Sequence, residues 1–575
     1  MAQEASPVAT PATPAPDASS GPITIFKARK IVTQSPIVPE ATHVAVRDGR
    51  VLGAGDLESL EGWGDYTLDE TFADHVIIPG LIEAHCHVIE GMMAFMPYVG
   101  YYDRPAVDGG VLKGITSIDG LANFLKDQDA KLTDPDAPLI TSGWDPIFFR
   151  DQPPVDRKFL DQISTTRQVG LWYASEHTLL LNSVALEKNN ITSSTDNPGV
   201  VMGSDGQPTG LLTSPSAMGL AANIFDPILE MMAEPKTIQA LSQFAVNAGC
   251  TMVTDMASIV MAAPKAMDAW RETVNDPSYP VRVGIYVEAV DAGKDVTPAN
   301  IVESFLAVRE AEQTEKLYFP GLKLLLDGSI QDLTASMKWP GYYKGTNDLD
   351  GPLMTPEQVT EWVHAIQAGG IQVAGHANGS QAIDVLLDAF QAASMSAPAA
   401  DLRHVVEHAQ LMTTAQFARM VNLEVCANLF ANHIYYWGDQ HYEYTIGPER
   451  AEGMEPALTA LEMGVPISLH TDASVTPLGC LHSMWCAVNR VTASGRVLGE
   501  REKLTPAQAL HAVTLGSAYQ LHLDDMMGSI EPGKFADFAV LEESPLDVDP
   551  MAIKDIKVWG TVLGGVKHQA ATPSS

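Results

Sequence analysis

The stretch Val76–Gly91, VIIPGLIEAHCHVIEG, decides how the rest of the chain is read. A short apolar run ends at a Pro-Gly turn, and a second one ends in His85-Cys86-His87. In an extended strand residues i and i+2 point the same way, so His85 and His87 present two imidazoles on one face while Cys86 points away. Two imidazoles held on a rigid strand suit a borderline metal such as zinc. The motif gains weight from what recurs further along.

Seven more apolar stretches follow: CTMVTDMA, VRVGIYVEAV, GLKLLLDG, GIQVAGHANG, RHVVEHAQ, LEVCANLF and VPISLHTDA. Helix-compatible segments such as PEQVTEWVHAIQAG and GSQAIDVLLDAFQAA separate several of them. Each strand carries little polar content until its last residues, the pattern of parallel strands buried on both faces. Eight such strands in βα alternation predict an α/β fold, a (β/α)8 TIM barrel, whose active site lies at the C-terminal ends of the strands. There the polar residues gather: His376 closes one strand, His408 the next and Asp472 the last, with Lys323 inside a fourth. Such groups at the ends of buried strands are costly unless paired or liganded, and a shared metal ion satisfies them best.

The rhythm breaks between His87 and Thr251, an interval too long for a βα connection. It is read as an inserted lid subdomain, about residues 99–240, within a barrel spanning 79–527. Outside the barrel, alternating segments at 23–78 and 528–570 predict one small β-sandwich domain built from both termini. Residues 1–22, rich in Ala, Pro, Ser and Thr, read as a disordered tail.

A formal net charge of -36 argues against nucleic acid and against an anionic membrane surface as partners. No apolar run approaches the length of a membrane span. Five cysteines without C-x-x-C spacing read as small buried residues. The tail lacks the apolar core of a signal peptide, which favours the cytoplasm; its likeness to the start of a mature exported protein leaves the periplasm open.

The stretches PGLIEAHCH, GWDP (Gly143–Pro146), SEHTLLLNSVAL (Ser175–Leu186), KLLLDGS, EHAQ (Glu407–Gln410), YYWGD (Tyr435–Asp439) and GSIEPGKFADFAVL (Gly528–Leu541) resemble the amidohydrolase superfamily. Within it they are similar to the YtcJ-like branch, which includes N-substituted formamide deformylase. The resemblance runs from Ile23 to Lys567. It implies that His85 and His87 bind the more buried of one or two divalent metals, zinc foremost. His376 and His408 hold a second metal, and Lys323 bridges the two if carboxylated, since an ammonium has no lone pair. Asp472 binds metal and carries the proton of the attacking water to the leaving nitrogen.

The reaction so implied is metal-assisted hydrolysis of a C–N bond in a small amide or N-formyl substrate. The same residues suit ester or lactone hydrolysis or metal-assisted decarboxylation, and a non-catalytic binding relative is the remaining alternative. Trp144, Asp145 and His177 match branch motifs and are candidate substrate contacts, as are Tyr436 and Trp437 after the seventh strand, although a packing role fits each as well. His470, two residues before Asp472 and on its face, is read as a packed core histidine ahead of a partner to the metal site. A homodimer is expected from the resemblance only.

Overall fold

The computed structural model describes residues 21–290, 295–344 and 353–572. The tail expected over 1–22 therefore lies, up to residue 20, outside the described residues. The chain divides into two compact units. Of the described residues, the larger comprises those from Gly21 to His87, Ser242–Asp472 and Leu478–Ala571; the smaller comprises Val88–Leu241, Ala473–Pro477 and Thr572.

In the larger unit the eight apolar stretches form eight parallel strands: β1 (Leu81–Cys86), β2 (Cys250–Ser258), β3 (Arg282–Glu288), β4 (Gly321–Leu325), β5 (Gln372–Ala377), β6 (Val405–His408), β7 (Cys426–Leu429) and β8 (Ile467–Leu469). They pair in sequence order from β1 to β8. Their side chains are almost all buried, which is why the sequence shows no alternation. The circle closes beyond the end of β8, where the Asp472 N–H donates to the His85 carbonyl at 3.0 Å. Glu83 staples the same seam. Its carboxylate accepts from Thr471 N–H at 3.0 Å and from the Thr471 hydroxyl at 2.7 Å. Burial pushes Glu83 up to about 8 despite these donors.

Three helices of the larger unit start where the sequence provides a cap. Thr355 with Gln358, Thr413 with Gln416 and Thr505 with Gln508 each form a reciprocal capping box, opening the helices Pro356–Ala368, Thr414–Leu423 and Pro506–Ala512. Each box satisfies two backbone donors at a helix start. The strand before β1 turns into it at Gly80, where a Cβ would fall 1.9 Å from the Thr251 hydroxyl.

The terminal segments share one seven-stranded sheet. This is the small β domain built from both termini, formed as a single sheet with register shifts along its first strand. The first strand, Ile23–Val32, slips register against both neighbours, which lets it bend. The edge strand Arg50–Gly55 then meets the segment ahead of Phe538–Leu541, with Val51 N–H donating to the Lys534 carbonyl at 2.9 Å. Phe26, Val51, Phe72, Phe538 and Val562 pack into one core. A buried ion pair, Arg282 Nε to Asp537 at 2.6 Å, ties this sheet to β3, with the guanidinium 3.5 Å above the Phe535 ring.

The smaller unit has a five-stranded sheet of its own, in the spatial order 200–202, 208–212, 179–181, 169–173, 139–144. Its core gathers Val99, Leu121, Leu125, Trp144, Phe149 and Leu171. All five cysteines are buried thiols. Among the described residues no helix is long and apolar enough to cross a membrane.

Candidate metal centre

His85 lies near the end of β1 and His87 just beyond it, and both rings reach the same oxygen of Asp472, as their i, i+2 spacing predicts. The imidazole of His85 is anchored from behind: its Nδ1 lies 2.6 Å from Glu407 Oε2, and both side chains are buried. Asn428 on β7 donates to the same carboxylate oxygen at 2.9 Å. With Nδ1 engaged, His85 turns Nε2 toward Asp472, 3.2 Å from Oδ1. His87 Nε2 lies 3.0 Å from the same oxygen. Burial opposes charge on Asp472, yet His85 and His87 outweigh it and hold the carboxyl well below the ordinary carboxylate range.

The opposite wall is built from β5 and β6. His408 Nε2 and His376 Nδ1 are 2.9 Å apart, and the far nitrogen of His376 faces the Gly328 carbonyl at 3.3 Å. The other nitrogen of His408 lies 3.8 Å from Asp472 Oδ2 and has no hydrogen-bond partner. Burial drives His408 well below its usual value, so it is a neutral imidazole and a competent metal ligand. Both His408 and Asp472 adopt left-handed backbone angles, φ 68° and 51°. Non-glycine residues there cost on the order of 1 kcal/mol, and such strain gathers at functional sites.

Lys323 is buried on β4. Burial pushes it down to about 8, against the pull of Glu407, Asp472 and Glu288. Asp327, near it in sequence, is occupied otherwise: it accepts backbone N–H groups of Ser336, Asn378 and Gly379 at 2.8–3.1 Å.

Among the described residues, two sets of donor atoms each lie within 4.8 Å of one another, His85/His87/Asp472 and His85/His408/His470. The first and most of the second are the residues picked out by their strand ends. His470 is the addition. It is fully buried, and neither ring nitrogen has a hydrogen-bond partner. Its place on the face of Asp472 was legible from the i, i+2 spacing. That its ring faces the β1 and β6 histidines depends on distant segments meeting. Glu407 is a second addition: it stands in the EHAQ stretch, and the sequence gives it no role of its own. The left-handed backbone at His408 breaks strand alternation, so both residues face the barrel interior. The orphaned nitrogens of His408 and His470, beside imidazoles and an ionised carboxylate, fit a divalent cation of zinc type.

The family model described as the amidohydrolase family matches residues 73–567. The chain belongs to the amidohydrolase family. This amidohydrolase is 27% identical over 557 residues to Protein LONG AFTER FAR-RED 3 of Arabidopsis thaliana, covering 93% of the chain and 89% of that protein. It is 26% identical over 542 residues to the putative amidohydrolase YtcJ of Bacillus subtilis, covering 91% and 94%. It is 31% identical over 207 residues to N-substituted formamide deformylase of Arthrobacter pascens, covering 36% and 38%. Its fold is shared with an uncharacterised metal-dependent hydrolase of Pyrococcus horikoshii at a TM-score of 0.69 and 22% identity, over 92% of this amidohydrolase and 99% of that chain.

The candidate substrate contacts are placed as follows. Tyr436 is half-buried on the helix Asn432–Gln440, and Trp437 beside it is buried near Phe430 and His433. In the smaller unit Trp144 stacks on Phe149 at 4.6 Å inside the core. Asp145 caps the short helix Pro146–Phe149, accepting from Ile147 N–H at 3.0 Å, and His177 N–H donates to the Ser175 hydroxyl at 3.4 Å.

Proposed function

We propose that this amidohydrolase is a divalent-metal-dependent hydrolase, zinc being the native metal, that cleaves the C–N bond of a small amide or N-formyl compound. The observation that carries the reading is the Asp472 carboxylate, which lies 3.0 Å from His87 and 3.2 Å from His85 at the strand ends. When bound, a divalent metal lowers the pKa of water and polarises a carbonyl oxygen. Asp472 accepts the proton of the attacking water and returns it to the departing nitrogen. An amine leaves poorly without that proton, so an ionised carboxylate beside the imidazoles suits C–N hydrolysis. Glu407 fixes the tautomer of His85 and thereby its orientation.

If a second ion is bound, His376 and His408 hold it and Lys323 bridges as a carbamate. Its amine attacks CO2 only when neutral, and burial raises the neutral share. Tyr436 offers an aromatic face to a substrate with apolar bulk. Trp144, Asp145, His177 and Trp437 belong to the reading through the branch motifs they match. The reading further includes a homodimer and a cytoplasmic location. The relatives named as an amidohydrolase and a formamide deformylase support a C–N substrate.

Product analysis with a panel of N-substituted formamides, anilides, esters and lactones tests it. Turnover of the formamides or anilides, abolished in Asp472→Asn, is expected. Turnover of esters or lactones alone would overturn it.

A further inference from the structure

Among the described residues, His470 differs from the buried histidines His85, His404, His408, His433 and His441, which lie on the barrel strands, beside them or on the helices after the seventh strand. His404 receives the Val373 N–H at 2.9 Å and meets Gln367 at 3.0 Å. His433 pairs with Glu455 at 2.8 Å, and His441 meets Thr445 at 2.8 Å and Gln410 at 3.2 Å. His85 and His408 each engage one nitrogen. His470 engages neither, although its side chain is shut off from solvent. A buried donor or acceptor left without a partner costs on the order of 1–3 kcal/mol. A histidine serving only as core filler would be expected to find one, as His404 does.

Its surroundings show what the missing partner is. The ring centroid of His470 lies 4.6 Å from that of His85 and 5.0 Å from that of His408. One nitrogen from each of the three rings falls within 4.8 Å of the other two. Two nitrogens on one tetrahedral zinc ion stand about 3.3 Å apart, given bonds of about 2.0–2.1 Å, so a modest side-chain adjustment brings the His85 and His470 nitrogens onto one ion. His85 belongs to both donor groups, and Glu407 occupies its Nδ1. A single lone pair remains, on Nε2, and one lone pair serves one ion. The ion that His85 holds with His87 and Asp472 is therefore the ion next to His470.

We propose that His470 is a direct ligand of that ion, completing from β8 a set begun by the paired histidines of β1. The proposal rests on the metal-dependent reading above. It assigns the buried ion a ligand set that does not require carboxylated Lys323.

Anomalous diffraction at the zinc edge from crystals of the zinc-loaded full chain tests this directly. A peak about 2.0–2.1 Å from a ring nitrogen of His470 is expected. A peak liganded by His85 with both His470 nitrogens well beyond bonding distance overturns the proposal and leaves the metal-dependent reading standing. No zinc at His85 overturns both. In solution, His470→Gln and His470→Phe are compared with the parent chain by chelator competition and by the visible spectrum of the cobalt-loaded protein. At least tenfold weaker metal binding and a changed cobalt spectrum are expected in whichever variant folds. Unchanged affinity and spectrum in a folded variant overturn the proposal.

Discussion

Glu407 Oε2 lies 2.6 Å from His85 Nδ1, with both side chains buried, so the imidazole presents Nε2 to the Asp472 carboxylate. The contact joins β6 to β1 through the barrel interior. A carboxylate behind a ligating histidine fixes its tautomer and raises its basicity, and removal of such a partner typically costs 10–100-fold in metal affinity. Glu407→Gln is predicted to weaken metal binding by about that factor, measured by chelator competition. Equal affinity in the two proteins would show that the contact does not tune the ligand.

Asp472 has two roles that one substitution separates. Asp472→Asn keeps an oxygen near His85 and His87 but cannot take a proton from water. Metal content is predicted to survive at least in part while turnover falls by about 10²–10⁴, the usual share of general acid–base catalysis. Turnover within tenfold of the parent would exclude a proton-transfer role.

The barrel seam depends on Glu83 and Thr471. Thr471→Val removes the hydroxyl that donates to Glu83 at 2.7 Å and leaves the backbone donor in place. The carboxyl is then short of a partner in a buried site, at a cost of about 1–3 kcal/mol. Urea unfolding is the measure; an unchanged midpoint would remove the seam from the account of stability.

Acid sensitivity is predicted from His404. Burial lowers it to about 3, helped slightly by His522. In the unfolded chain a histidine takes up its proton near pH 6.5. Between these values the unfolded state binds more protons, so stability falls as the pH drops from about 6.5 toward 3. One such residue contributes at most about 1.4 kcal/mol per pH unit. His404→Gln is predicted to flatten the dependence of unfolding free energy on pH by up to that amount over pH 4–6. The same slope in both proteins would contradict the assignment.

The barrel was legible because strands buried on both faces read as unbroken apolar runs. The strand-end residues His85, His87, His376, His408 and Asp472 stood out against that background. What escaped depends on segments far apart in the chain. His470 reads as core until the β1 and β6 histidines are seen 4.6 and 5.0 Å from it. Glu407 shows its role only when His85, 322 positions earlier in the chain, is seen against it. The inserted segment announced itself by interrupting the rhythm. Its five-stranded sheet did not, because strands as short as Leu179–Leu181 show no readable period.

The central claim is that side chains from several barrel strands gather around a divalent cation. It is tested most directly by elemental analysis of the chain purified without chelator, beside His85→Ala. The account predicts at least one equivalent of a transition metal per parent chain and its loss in the variant. A parent chain that holds none, or a variant that holds as much as the parent, would contradict it.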